Sequence, residues 1–173
     1  MIGLEYKVLV IGRHEAGKTS IMKRMIKEEV LTIEDSKGST IALDYGNIAF
    51  DSVKIHFFGT PGQERFRFIV NMLSKGVDLV LLVVDSSKGL DSSDEWFLQY
   101  ASRLNLPIVV AINKLDLNKE LPAIIEYRIK SYFPSVTAVK TSAKTGEGIA
   151  ELLYSIINNL SISQSMQIPL LRR

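Results

Sequence analysis

The sequence predicts an α/β fold, with six mostly parallel strands, one antiparallel edge strand and about five helices packed in three layers. Two observations lead to this fold class. Short β-branched runs alternate with segments of helical periodicity, and two strand-like segments meet at a two-residue turn. A chain of 173 residues with 46% hydrophobic and 23% charged residues is typical of one globular domain. We expect a domain over residues 1–160 and a loose or docked tail over residues 161–173.

Each element follows from a local pattern. The first strand ends at Gly12, and apolar residues recur at helical spacing after Gly17. Asp51 and Ser52 form the predicted turn of an antiparallel hairpin. Pro122 suits a first helical turn, where a missing N–H costs nothing. The predicted strands span 6–11, 40–50, 53–58, 77–84, 107–112 and 136–140, and the later helices span 92–103, 121–132 and 149–160.

The composition excludes several classes of function. Twenty-one Lys and Arg against nineteen Asp and Glu leave a charge of +2, too small for the positive field of a general nucleic-acid binder, so no nucleic-acid partner is expected. The absence of cysteine removes disulfides, thiolate metal sites and cysteine-linked lipids. The longest apolar stretch, residues 77–84, is far shorter than the ~20 residues of a membrane span. We therefore expect a cytoplasmic protein without a direct membrane anchor.

A phosphate-binding motif lies between the first strand and the first helix. Residues 12–19 fit the pattern G-x-x-x-x-G-K-T. Backbone N–H groups of such a loop and helix start converge on a phosphate. Lys18 can supply positive charge to the β- and γ-phosphates, and the Thr19 hydroxyl can bind Mg²⁺. A merely connecting glycine-rich turn is the alternative, but it does not account for Lys18 and Thr19 after the second glycine.

Two tetrapeptides directly follow later strands: N-K-L-D at residues 113–116 and T-S-A-K at residues 141–144. Ligands of open α/β sheets bind at the carboxyl ends of parallel strands, where both loops lie. The Asp116 carboxylate can accept hydrogen bonds from the ring N–H and the amino group of guanine, and adenine lacks both donors. A guanine nucleotide is therefore predicted, and an ATPase or kinase is disfavoured.

With these motifs the sequence resembles the Ras-like small GTPases over residues 5–160, and the resemblance implies a P-loop NTPase sandwich. G-T-P-G-Q-E-R-F at residues 59–66 resembles the second switch segment of that family, and Thr40 resembles the threonine of the first. D-Y-G at residues 44–46 is most similar to prokaryotic Ras-like GTPases. The implied ligands are GTP, GDP and Mg²⁺.

The resemblance also implies roles for individual residues. Thr19 and Thr40 would hold the metal, Thr40 only when a γ-phosphate is present, and the Gly62 N–H would contact that phosphate. Gln63 would orient the attacking water. The implied catalytic residues are Gln63 and Lys18, and the implied nucleotide-binding residues are Gly12, His14, Glu15, Ala16, Gly17, Lys18, Thr19, Ser20, Thr40, Gly62, Asn113, Lys114, Asp116, Ser142, Ala143 and Lys144.

Two departures from the family modify these expectations. The family usually has Asp at the position of Gly59, where the carboxylate holds a water of the Mg²⁺ shell. Its absence predicts weak Mg²⁺ binding in the GDP form and rapid GDP release, which Gly59→Asp should slow. His14 stands where many relatives carry glycine, and its bulk predicts slow hydrolysis. Asp85 could replace the missing carboxylate, although a loop-capping role is the simpler interpretation.

The predicted function is a switch that GTP orders around Thr40 and Gly62 and that hydrolysis releases, read by protein effectors and turned off with an activating protein. A guanine-nucleotide-loaded structural or assembly module that does not hydrolyse GTP is the alternative, which Gly59 and His14 favour and Gln63 opposes. The expected state is a monomer, with a nucleotide-dependent dimer as the alternative. Arg65 and Arg67 are expected on a solvated helix, with an arginine-finger role as the alternative.

Overall fold

Strands and helices alternate along the chain in the computed structural model, which describes residues 3–27, 29–32, 43–50, 52–62 and 67–167. The strands are β1 (Leu4–Ile11), β2 (Asp44–Phe50), β3 (Val53–Gly59), β4 (Leu79–Asp85), β5 (Ile108–Asn113) and β6 (Thr137–Lys140). The helices are α1 (Lys18–Met25), α2 (Arg67–Leu73), α3 (Ser92–Arg103), α4 (Leu121–Tyr132) and α5 (Ile149–Gln167). Among the described residues these are six strands and five helices, as predicted.

The strands form one sheet in the order β2-β3-β1-β4-β5-β6. β1 pairs in parallel with β3 and β4, while the edge strand β2 pairs antiparallel with β3. The hairpin register joins Phe50 to Val53, so two positions separate the paired ends of the strands, the connection length that the sequence predicts. The fold class is therefore confirmed.

Two apolar layers cover the sheet because successive side chains of each strand point to opposite faces. Val8 and Val10 of β1 pack in one layer with residues of α1 and α5, including Ile21 and Leu152. Leu9 and Ile11 pack in the other layer with residues of α3 and α4. The loops at the carboxyl ends of β1, β4, β5 and β6 consequently gather at one edge of this three-layer core.

Two helices have the bounds that the sequence predicts. α3 begins with a capping box in which the Asp91 carboxylate accepts hydrogen bonds from the backbone N–H groups of Ser93 and Asp94. Pro122 lies in the first turn of α4, where a helix does not use the backbone N–H that proline lacks.

The predicted end of the last helix is wrong. α5 continues past residue 160 to Gln167, so residues 161–167 of the predicted tail are helical. The Ser-rich segment was interpreted as loose, but it holds no glycine or proline before Pro169, and nothing in it stops a helix. Thr40, Gln63 and Arg65 lie outside the described residues. Across the part of the chain that the structure describes, no helix combines the length and apolar character needed to cross a bilayer.

Candidate nucleotide site

The loop between β1 and α1 has a backbone that requires glycine at both ends. Gly12 has a φ of 147°, and a Cβ there would lie 2.3 Å from the Val83 carbonyl oxygen. Gly17 has a φ of 98° and caps α1 without any side-chain hydrogen bond to the first-turn N–H groups. A helix start with no side-chain cap favours an anion at its first-turn N–H groups, as the motif predicts.

Lys18 is 7% exposed and folds back over this loop. Its ammonium donates to the carbonyl oxygens of Gly12 and Arg13, both at 2.9 Å. Burial lowers the pKa of Lys18 to about 8, and the nearby Asp44 and Asp94 carboxylates act in the opposite direction. The charge is thus placed beside the phosphate loop, in contact with the loop itself.

The other predicted residues of the phosphate loop differ in how far their side chains are buried. His14 and Glu15 are exposed, and Glu15 has a φ of 61° and forms an ion pair with Lys88 at 3.3 Å. Ala16 is fully buried. Gly62 lies against the loop from outside, since a Cβ on Gly62 would be 2.4 Å from the His14 backbone nitrogen. The structure therefore brings Gly62 to the phosphate loop, and its contact with a γ-phosphate stays a prediction.

The residues beside Thr19 fit a magnesium ion. The Thr19 hydroxyl donates to Asp44 Oδ2 at 2.5 Å, and Asp44 is 1% exposed. Nowhere among the described residues do three or more Asp, Glu, His or Cys side chains gather as a metal site. Mg²⁺ in nucleotide enzymes takes most of its ligands from phosphates and water and few from protein, so one hydroxyl with a buried carboxylate behind it suits this ion.

Arg13, which the sequence analysis did not single out, ties the phosphate loop to the loop before α3. Its guanidinium donates to Asp91 Oδ2 at 2.6 Å and to the carbonyl oxygens of Asp85 and Gly89 at 3.1 and 3.0 Å. Asp94 Oδ2 lies 3.4 Å from the same guanidinium. All these partners are more than 70 residues away in the chain, so no local pattern could have indicated them.

Five of the six residues predicted to bind the base, all except the buried Ser142, line one open depression of about 380 Å³ beside the phosphate loop. Its lining residues are Gly17, Ser20, Asn113, Lys114, Asp116, Leu117, Ala143 and Lys144. Arg24 of α1 closes the side of the site by donating to the carbonyl oxygens of Ala143 and Lys144 at 2.7 and 2.6 Å. The two tetrapeptides and the phosphate loop therefore form one site.

Asn113 joins the phosphate loop to the base loops. It is 2% exposed, its Nδ2 donates to the Ala16 carbonyl at 3.0 Å, and its Oδ1 accepts from the Ala143 N–H at 3.1 Å. Asp116 is partly exposed in the depression, and its Oδ1 accepts from the buried Ser142 hydroxyl at 2.5 Å. Ser142 in turn accepts from the Thr145 N–H at 3.2 Å. Asn113 thus builds the site, while Asp116 faces the space for a ligand.

Asp85 has the loop-capping role that the sequence favours. Its Oδ1 accepts from the backbone N–H and the hydroxyl of Ser87, and its Oδ2 accepts from the Lys114 ammonium at 2.7 Å. These contacts hold the pKa of Asp85 below its usual range despite its burial, which acts to raise it. Because both oxygens are engaged, Asp85 does not replace the carboxylate missing at Gly59.

The space beside Gly59 is occupied by neighbouring side chains, and the effect of Gly59→Asp on the metal site stays a prediction. A Cβ at this position would lie 2.9 Å from Asp44 Cβ and 2.9 Å from the Met22 sulfur. Any side chain at residue 59 must therefore displace its neighbours.

Arg67 at the start of α2 is half-buried rather than fully solvated. Its guanidinium lies over the Trp96 ring, 4.3 Å from the ring centroid, and donates toward the Ser93 hydroxyl at 3.5 Å. A cation–π contact of this kind stabilises the packing of α2 against α3.

A phosphate loop, a hydroxyl–carboxylate pair and a base depression with Asp116 inside it, at the carboxyl edge of this sheet, define a P-loop GTPase. The chain belongs to the family described as the elongation factor Tu GTP binding domain, whose model matches residues 5–161. Its ligands are accordingly GTP and GDP with Mg²⁺. The narrower assignment to prokaryotic Ras-like GTPases is not part of this match.

Three similar proteins illustrate the relationship. An uncharacterized protein of Methanocaldococcus jannaschii is 36% identical over 155 residues, which cover 90% of this chain and 97% of that protein. Translation initiation factor IF-2 of Francisella tularensis is 32% identical over 157 residues, or 87% of this chain but 18% of the factor. Translation elongation factor SelB of Methanococcus maripaludis, with the GTP analogue GppNHp, has the same fold at a TM-score of 0.81 and 24% identity, over 93% of this chain and 35% of SelB.

Proposed function

We propose that this chain is a GTP-dependent switch of the Ras-like type, similar to the prokaryotic members, and that it hydrolyses GTP slowly on its own. The observation that carries this proposal is that Asn113 donates a hydrogen bond to the Ala16 carbonyl and accepts one from the Ala143 N–H. This residue joins the loop that would hold the phosphates to the loop that would hold the base, so one ligand can contact both.

Different residues would contact different parts of the nucleotide. Asp116 accepts hydrogen bonds from guanine, and Lys18 transfers its donors from the carbonyl oxygens of its loop to the phosphate oxygens. Thr19 and Thr40 hold Mg²⁺, which when bound neutralises charge on the β- and γ-phosphates. Gln63 orients the water that attacks the γ-phosphate.

Slow hydrolysis follows from the surroundings of the γ-phosphate. Gly62 lies against the Arg13–His14 backbone, and His14 is an exposed, bulky residue of the same loop. Phosphoryl transfer depends on positioning, so crowding here lowers the rate more than it lowers nucleotide affinity. An activating protein would then supply what the isolated chain lacks.

The partners proposed are protein effectors and an activating protein, with a GTPase domain over residues 1–160 and an appended tail over residues 161–173. The formal charge of +2 does not favour direct nucleic-acid binding, and the match to the initiation factor concerns only 18% of that protein. We propose a cytoplasmic monomer, with nucleotide-dependent dimerisation as the alternative.

Identification of the bound nucleotide together with single-turnover phosphate release tests the proposal. We expect the purified chain to carry guanine nucleotide and to release phosphate slowly from GTP. Gln63→Leu should lower that rate at least about 10-fold with GTP affinity near normal, because Gln63 contacts water rather than the ground-state phosphate.

Gln99→Leu, an exposed position on α3, is the matched control and should hydrolyse GTP like the unmodified chain. Equal rates for the unmodified chain and Gln63→Leu would contradict the switch and favour the nucleotide-loaded structural module.

A further inference from the structure

Asp44 is a buried carboxylate, and one of its two oxygens lacks a hydrogen-bond partner among the described residues. It is 1% exposed at the start of β2, and its Oδ2 accepts the hydrogen bond from Thr19. Its Oδ1 is buried and has no hydrogen-bond partner in the part of the chain that the structure describes. A buried carboxylate oxygen without a donor is costly, so this arrangement calls for a cation or a water at that oxygen.

Asp44 lies directly opposite Gly59 in the antiparallel β2–β3 pair. Paired residues of neighbouring strands project to the same face of the sheet. A Cβ built on Gly59 would lie 2.9 Å from Asp44 Cβ and 3.2 Å from Asp44 Oδ2. The Asp44 side chain therefore fills the space that a side chain on residue 59 would use.

We propose that Asp44 is the carboxylate of the magnesium site, supplied from β2 in place of the residue missing at Gly59. It acts as a positioning residue. By accepting the hydrogen bond from the Thr19 hydroxyl, Asp44 Oδ2 directs the oxygen lone pairs of that hydroxyl away from itself and toward a metal. Asp44 Oδ1 remains to accept a hydrogen bond from a metal-bound water.

This inference rests on the proposed function and reverses one expectation for it. Without a carboxylate the GDP form should hold Mg²⁺ weakly and release GDP quickly. With Asp44 in this role, GDP release is slow in millimolar Mg²⁺ and strongly accelerated by a chelator, because the metal holds the nucleotide.

The test is the Mg²⁺ dependence of labelled GDP release, followed by stopped flow in the unmodified chain and in Asp44→Asn. The amide keeps the shape of the side chain and removes its charge. We expect Asp44→Asn to raise the Mg²⁺ concentration for half-maximal retention of GDP about 10–100-fold. In excess chelator both proteins should release GDP at equal rates within about twofold, which a merely structural role would not produce.

Two further variants strengthen the design. Asp78→Asn removes a carboxylate that accepts from the Lys7 N–H near the opposite ends of β1 and β4, and it should behave like the unmodified chain. The exchange Asp44→Gly/Gly59→Asp returns the carboxylate to β3 and should recover most of the Mg²⁺ affinity. Far-UV circular dichroism establishes that each variant is folded.

The outcomes separate the two claims. A chain that binds no labelled GDP overturns the proposed function. If GDP binds but the Mg²⁺ midpoint of Asp44→Asn equals that of the unmodified chain, the role of Asp44 is wrong and the proposed function stands. If the exchange variant folds but binds Mg²⁺ as weakly as Asp44→Asn, positions 44 and 59 are not equivalent. If the exchange variant does not fold, Asp44→Asn alone tests the proposal.

Discussion

The two ends of the nucleotide site differ in how their polar groups are satisfied. At the base end, Asn113, Ser142 and Asp116 are fixed by hydrogen bonds that a guanine can leave intact. At the phosphate end, Lys18 donates to carbonyl oxygens of its own loop and Asp44 keeps a buried oxygen without a partner among the described residues. The base end is therefore preorganised, whereas the phosphate end must exchange contacts on binding. In the function proposed above, the base end would supply selectivity and the phosphate end would respond to the nucleotide state.

The largest effect is expected from Asp116→Asn at the base end. The amide presents a donor where guanine needs an acceptor, so GTP affinity should fall on the order of 1000-fold. Xanthosine triphosphate, which has a carbonyl in place of the guanine amino group, should become the preferred ligand. Competition of the two nucleotides against a labelled analogue measures the change, and continued preference for GTP would show that the base lies elsewhere.

Asn113→Ala tests whether Asn113 holds the loops of the site together without selecting the base. The substitution leaves the Ala16 carbonyl and the Ala143 N–H buried without their partner, and it should lower the free energy of unfolding by about 3 kcal/mol. GTP and xanthosine triphosphate should both bind more weakly by the same factor. Denaturant unfolding gives the stability, with the exposed Asn158→Ala on α5 as control. A changed ratio between the two nucleotides would place Asn113 in base selection after all.

The smallest effect concerns Asp94, behind the phosphate loop. Burial raises the pKa of Asp94 to about 6, above its value of ~3.9 in an unfolded chain. The folded state therefore binds more protons between about pH 4 and 6, and this residue lowers stability as pH rises through that window. Asp94→Asn should remove on the order of 2 kcal/mol of that dependence. Denaturant unfolding at pH 4, 5, 6 and 7 measures the difference in the free energy of unfolding between the two proteins. The same difference at all four pH values would contradict the prediction.

Local patterns were sufficient for most of the fold. α3 and α4 have the predicted bounds because Asp91 and Pro122 mark their starts by chemistry confined to one helical turn. The end of α5 was missed because residues 161–173 were expected to form a loose or docked tail, although serine lowers helix propensity only slightly.

For the site, the sequence identified the candidate ligand-binding residues more completely than the residues that hold them in position. The base residues and the phosphate loop form one depression as predicted. Arg13 was missed because its partners are remote in the chain. Asp44 could have been found, since a two-residue turn at residues 51 and 52 already sets Asp44 opposite Gly59.

The contact between Arg67 and Trp96 also provides an optical reporter. Trp96 is the only tryptophan of the sequence, so the indole emission of the protein comes from one ring. That ring touches the first residue of the helix following residues 59–66, and it stacks on Tyr100 with the centroids 5.3 Å apart. Movement of α2 away from α3 would remove a cation from the face of the indole and alter its emission. If the proposed nucleotide cycle moves α2, the intrinsic fluorescence of the unlabelled protein would follow that cycle.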